Sequence, residues 1–227
     1  QSNARDIRYK LLADFCIKKR VKFITTAHHK DDQIETFLIR LSRGSGIQGL
    51  SAMNKITRLN SKVKLFRPLL NESKKELTYI AKSFFGKVFK DPSNQNKKYL
   101  RTKIRSLIGY LEKSGIKSDR IISSINNLAA ARDTLNNYIQ KVEKSCLIKK
   151  KNNIEINLEK FFEEKDDIQL KIISNSLKLI SKNYYPPRAK KVLNLISRIK
   201  SENKLKSTLG GCLILRNEKN LFITKEL

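Results

Sequence analysis

The sequence predicts an α/β half followed by a mostly helical half that ends in a β-hairpin. Three observations carry this expectation. Residues 21–26 are β-branched and aromatic, as a short buried strand is, and Ile34, Phe37, Leu38 and Leu41 follow at helical spacing. Beyond Ser114-Gly115 the apolar positions keep a helical period over long stretches. The last residues alternate in polarity on both sides of Asn217-Glu218-Lys219-Asn220, the pattern of two strands joined by a turn.

Taken in order, residues 5–20 predict an amphipathic helix with Ile7, Leu11, Leu12 and Phe15 on one face. The strand 21–26 leads into a helix over 31–42, which Gly44 ends. A glycine-punctuated loop, Arg43-Gly44-Ser45-Gly46-Ile47-Gln48-Gly49-Leu50, comes next. A second strand is expected at 63–66, stopped by Arg67-Pro68. Ser73 with Glu76 three residues on is a capping box, which starts a helix reaching about Phe85. Asp91-Pro92-Ser93-Asn94 reads as a turn and 99–113 as a basic helix. In the second half, Ile122, Ile125, Leu128, Leu135, Tyr138 and Val142 predict a long helix over roughly 119–144. A short strand at 154–158 and helices at about 166–182 and 187–200 follow, with Pro187 suited to a first helical turn. The hairpin is expected from strands 208–215 and 221–224. The domain boundary is placed near 116, giving domains over 5–116 and 117–227. Ser2-Asn3-Ala4 looks like a tag-cleavage scar, so residues 1–4 are set apart as a tag remnant.

Charge narrows the partners. There are 49 Lys and Arg residues against 21 Asp and Glu, a formal net charge of +28. An excess of this size calls for a polyanion, nucleic acid before an anionic membrane surface, although an AT-rich genome would also inflate lysine. No apolar run is long enough to cross a membrane and no signal-like segment opens the chain. Cys16, Cys146 and Cys212 lie far apart and form no C-x-x-C, so neither a zinc ribbon nor a redox pair is encoded. A reducing, cytoplasmic location is expected.

The segment 26–36, Thr-Ala-His-His-Lys-Asp-Asp-Gln-Ile-Glu-Thr, gathers two imidazoles and three carboxylates at a strand-to-helix junction. Open α/β folds place ligands at such junctions. The spacing matches no standard zinc site, whereas magnesium held through carboxylates and substrate phosphates suits it better. Asp32 and Glu35, three apart on a helix, share a face and can jointly hold an ammonium. A purely structural account stands beside these readings: Asp31 caps the helix, the other acids favour its dipole, and the histidines pack. The glycine loop resembles a phosphate loop, but it follows a helix where a dinucleotide fingerprint follows a strand. Lys97, Lys98, Arg101, Lys103 and Arg105, with Tyr99 among them, put a positive stripe on one helix. Phosphate-backbone contact needs such a stripe, and a solvated face would also show one.

Together these motifs resemble the tRNA(Ile)-lysidine synthetases of the N-type ATP pyrophosphatase superfamily. The match lies in Ala27-His28-His29-x-Asp31-Asp32-Gln33-x-Glu35-Thr36 followed by Arg43-Gly44-Ser45-Gly46-x-x-Gly49-Leu50. It extends to Arg5-Asp6-Ile7-Arg8-Tyr9, Arg67-Pro68-Leu69-Leu70 and Asp91-Pro92-Ser93-Asn94 with Tyr99-x-Arg101-x-x-x-Arg105. It returns in part at Thr208-Leu209-Gly210-Gly211-Cys212.

The resemblance implies a partial adenine-nucleotide α-hydrolase-like (Rossmann-like) parallel sheet, followed by a helical tRNA-binding domain. It implies an ATP- and Mg2+-dependent ligase that joins free L-lysine to C2 of the wobble cytidine of tRNA(Ile) through an adenylated intermediate. By resemblance, Asp32 and Glu35 would hold lysine or magnesium, Asp32 being the metal candidate. Arg101 and Arg8 would contact phosphate or the adenylated base, and His28 would sit by the nucleotide. Arg43, Lys103 and Arg105 would meet the tRNA. The family's Ser-Gly-Gly-x-Asp-Ser phosphate loop occurs nowhere in these 227 residues. Its absence predicts that this polypeptide alone does not adenylate tRNA and that an open sheet edge favours self-association, as in a homodimer, or instability. A non-catalytic tRNA- or RNA-binding fragment is the alternative, and a tRNA thiolase is disfavoured by the lack of a C-x-x-C.

Overall fold

A computed structural model describes residues 2–89, 100–181 and 187–226. The expected turn at Asp91–Asn94, and Lys97, Lys98 and Tyr99 of the basic stripe, lie outside these residues. The chain divides into two compact units, residues 1–132 and 133–227. The division falls inside a helix whose Ile121 and Ile125 pack with Ile34 of the first unit.

The first unit opens with α1 (Ser2–Lys18), β1 (Phe23–Thr25), α2 (Lys30–Leu41) and the one-turn α3 (Ile47–Leu50). Then come β2 (Ile56–Arg58), β3 (Lys64–Phe66), α4 (Lys74–Phe85), α5 (Leu100–Lys113) and the start of α6 (Ser118–Cys146). The sheet runs β1-β3-β2, with β1 parallel to β3 in register Phe23↔Lys64 and β2 antiparallel to β3. β2 was not expected, since three residues are too few to show alternation. Ile34 and Ala52 form one core with Ile121 and Ile125, against which Phe37, Leu38 and Ile108 pack. Ala13 and Cys16 of α1 pack with Val63 in a second. With those small residues facing inward, Ile7, Leu11 and Phe15 lie exposed.

α4 begins as its capping box predicts. The Ser73 hydroxyl accepts from the Glu76 amide, and the Glu76 carboxylate accepts from the Ser73 amide. Gly86, in left-handed backbone at φ 68°, ends the helix.

The second unit holds the rest of α6, then β4 (Leu147–Lys149), β5 (Asn153–Asn157), α7 (Leu158–Phe162), α8 (Asp166–Ser181) and α9 (Ala189–Ser201). β6 (Leu205–Leu209), β7 (Cys212–Arg216) and β8 (Asn220–Lys225) close it. Five antiparallel strands run in the order β4-β5-β8-β7-β6. The terminal hairpin is thus part of a larger sheet, to which the strand expected at 154–158 also belongs. The strand expected over 208–215 is two strands, because Gly210 and Gly211, at φ 65° and 78°, turn the chain back. Pro187 precedes the α9 N-cap, Arg188, and does not enter the first turn. Ile172, Ile173 and Leu177 of α8 and Val192, Ile196 and Ile199 of α9 bury one face each in the same core as Ile154, Ile156, Ile214 and Ile223.

Candidate functional site

The acidic junction sits where β1 passes into α2. Thr26 continues the strand pairing by donating its amide to Phe66 O at 3.0 Å. Its hydroxyl lies 2.8 Å from His28 Nδ1. His29 is the N-cap of α2 in extended backbone, and its amide donates to Asp32 Oδ2 at 3.1 Å. The His29 ring lies between two carboxylates, 3.4 Å from Asp31 and 3.5 Å from Asp32.

Asp31 does not cap its own helix. Its Oδ2 accepts the Lys74 amide at 2.9 Å, at the first residue of α4. A carboxylate there satisfies a donor that the helix leaves open and meets the positive end of its dipole. The Lys30 amide likewise donates to Glu72 O at 2.9 Å. Two neighbouring residues of the motif thus tie α2 to the entry of α4.

Glu35 is buried at 2% exposure and paired with Arg105 of α5. Arg105 Nε donates to Glu35 Oε1 at 2.5 Å, and a second guanidinium nitrogen lies 3.5 Å from Oε2. That hydrogen bond holds the Arg105 pKa above the ordinary guanidinium value, with the charges of Glu35, Asp32 and Asp31 adding to it. Glu35 thus holds a cation supplied by the chain itself.

The structure brings Asp32, Glu35 and Arg105 together, with His28 two residues before the helix. Arg101, one turn before Arg105 on α5, and Lys103 are exposed. Arg8 on α1 and Arg43 just after α2 are exposed as well. No ion pair joins these four to the acidic cluster among the described contacts. No group of three His, Cys, Asp or Glu residues is placed to hold a metal among the described residues. The donor set fits magnesium only through a carboxylate such as Asp32 together with substrate phosphates and water.

The glycine loop is ordered. Gly44 at φ 65° ends the α2 segment, and Gly46 to Leu50 wind into α3. Gly49 has no room for a side chain, since a Cβ there would stand 2.6 Å from Ser45 Cβ. Residues that the sequence reading missed hold the following segment. Gln33, buried, donates to Met53 O at 2.9 Å and accepts from Met53 N at 2.7 Å. Arg40 donates to Gly49 O and Ala52 O at 2.7 and 2.8 Å. Gln33 and Arg40 stand seven apart, so they lie on one face of α2, and that spacing was the available signal.

Against known proteins, residues 1–111 match the PP-loop domain family model. Along its whole length the chain is 37% identical to a tRNA(Ile)-lysidine synthase of Wolbachia pipientis wMel, covering 53% of that protein. It is 35% identical to the one of Wolbachia sp. subsp. Brugia malayi (strain TRS), again over 53%, and 31% identical to that of Anaplasma marginale (strain St. Maries), over 49%. The chain spans about half the length of the curated relatives it matches. No helix among the described residues is long and apolar enough to cross a membrane. Residues 1–111 are therefore similar to a PP-loop domain, and the chain along its whole length is similar to about half the length of each of these tRNA(Ile)-lysidine synthases.

Proposed function

We propose that this chain carries the lysine side and part of the tRNA-binding surface of an enzyme that forms lysidine. The reaction is the ATP-dependent ligation of free L-lysine to C2 of the wobble cytidine of tRNA(Ile). The observation that carries this reading is the convergence of Asp32, Glu35 and Arg105 at the β1–α2 junction, in a chain homologous along its whole length to synthases of that name.

The chemistry matches the charges. Lysine arrives as an ammonium, and Asp32, whose side chain is 13% exposed against 3% for Glu35, is the more accessible of the two carboxylates on that face of α2. Glu35 acts behind it, fixed by Arg105. The ammonium must lose a proton before its nitrogen attacks, and Asp32 is the nearby acceptor. The C2–N bond then forms as the bond from C2 to the adenylate oxygen breaks and AMP leaves. Holding the amine and the activated base in line is chiefly a matter of orientation. Arg101 and Arg8 are assigned to phosphate or the adenylated base, His28 to the nucleotide, and Arg43 and Lys103 to the tRNA backbone. Arg105 is assigned to positioning rather than to tRNA. Magnesium, held by Asp32 with substrate phosphates, would neutralise phosphate charge.

Calorimetry with ATP, L-lysine and tRNA(Ile) tests the reading on the chain itself, and lysidine formation tests it on the protein expressed from the complete gene. Lysine binding that Asp32→Asn abolishes is the expected result. Binding of tRNA with neither lysine binding nor lysidine formation would leave RNA binding as the function.

A further inference from the structure

The most over-determined stretch of the first unit is Ser51 to Asn54. Ala52 is buried and stands at φ 51°, left-handed backbone that an alanine rarely adopts. Such a residue persists only where its surroundings hold it, and these positions gather at functional sites. Four side chains do the holding here. Arg40 grips Ala52 O, and Gln33 takes both the amide and the carbonyl of Met53. Arg132, buried on α6, donates to Ser51 Oγ at 2.8 Å and to Asn54 Oδ1 at 2.5 Å. Arg67, also buried, donates to Asn54 O at 2.8 Å.

We propose that this strained segment is a positioning element of the candidate site, and that Gln33 and Arg40 are positioning residues that fix the rotation of α2 about its own axis. Successive helical residues turn by about 100°, so Gln33 and Glu35 project to nearly opposite sides of α2. Met53 holds the first and Arg105 holds the second. A rotation that carried Asp32 away from its place would break one grip or the other. Asp32 is held at the N-terminus of the same helix, by the His29 amide at 3.1 Å with the His29 ring 3.5 Å away, so its place follows that of α2. The cost of the left-handed Ala52 is then the cost of a fixed support for α2, against which Ile34 also packs. The inference rests on Asp32 contacting the lysine.

The test uses the protein expressed from the complete gene, with lysidine formation followed at varied lysine and the melting temperature measured alongside. Gln33→Leu and Arg40→Met should raise KM for lysine by about tenfold or more, as a small misplacement of a site residue does. Ala52→Gly, which relieves the left-handed backbone, should raise the melting temperature and also raise KM for lysine. Placed in the Arg40→Met protein, it should recover the melting temperature while KM stays high. Recovery of both together, or variants that melt lower with KM unchanged, would make the segment merely structural and overturn the inference. Wild-type protein that forms no lysidine overturns the site reading, and the inference with it.

Discussion

Removing Arg105 should harm the first unit far more than neutralising its partner. Glu35 is 2% exposed, whereas the Arg105 side chain keeps 34% of its surface in water. Arg105→Met leaves a carboxylate sealed in the protein without its charged donor, and breaking a buried pair from that side costs about 3–5 kcal/mol. Glu35→Gln leaves a guanidinium that can hydrate and still find an amide oxygen, so about 1 kcal/mol is expected. The double variant should lose less than the two single losses together, with about 2 kcal/mol of coupling. Hydrogen exchange of the α2 amides reads the local opening free energy of this unit apart from the other. Equal losses in the two single variants, or a double variant that is strictly additive, would refute the claim that Glu35 depends on Arg105.

Three further outcomes follow from the structure. The Ser73 hydroxyl and amide hold the Glu76 carboxylate below its ordinary value of 4.5. A depressed carboxylate stabilises above its unfolded pKa and stops doing so as pH falls through the lower folded value. Acid titration of the wild type should therefore weaken α4 below pH 4.5, and Ser73→Ala should weaken it at neutral pH and flatten that acid limb, both read by amide exchange. Gly210→Ala puts a Cβ 2.7 Å from Pro187 Cγ at a φ of 65°, so denaturant melts should show a loss of about 1–3 kcal/mol in the second unit. Arg216 donates to Ile199 O and Glu202 O at the end of α9 and lies 5.8 Å from the Phe162 ring centre. Arg216→Met should cost about 2–3 kcal/mol in the same assay, and a loss below half a kcal/mol would remove it as the α9 cap.

What the sequence disclosed was mostly local. The capping box of Ser73 and Glu76 and the stop at Gly44 act over three or four residues, so their spacing is visible in a string of letters. Glu35 and Arg105 were both singled out, but their pairing spans 70 residues and no spacing rule announces it. The structural alternative had Asp31 capping its own helix because that helix was the one in view, yet its carboxylate accepts the first amide of α4, 43 residues on. The split of 208–215 into two strands was hidden because apolar alternation continues on both sides of Gly210-Gly211, and a two-glycine turn changes direction without changing composition. β4 pairs with β5 over three residues, too short to show a period. The junction of β1 and α2 was legible as a site, whereas the division of labour among its carboxylates needed the fold.

Mass analysis of the wobble nucleoside of tRNA(Ile) tests the central claim most directly. The protein expressed from the complete gene is incubated with tRNA(Ile), ATP and L-lysine, as wild type and as Asp32→Asn. Lysidine should form with the wild type, and its rate should fall by about 10² to 10⁴ in the variant, the scale of losing a positioned proton acceptor. Unmodified cytidine with a wild type that still binds the tRNA, or an undiminished rate in Asp32→Asn, would contradict it.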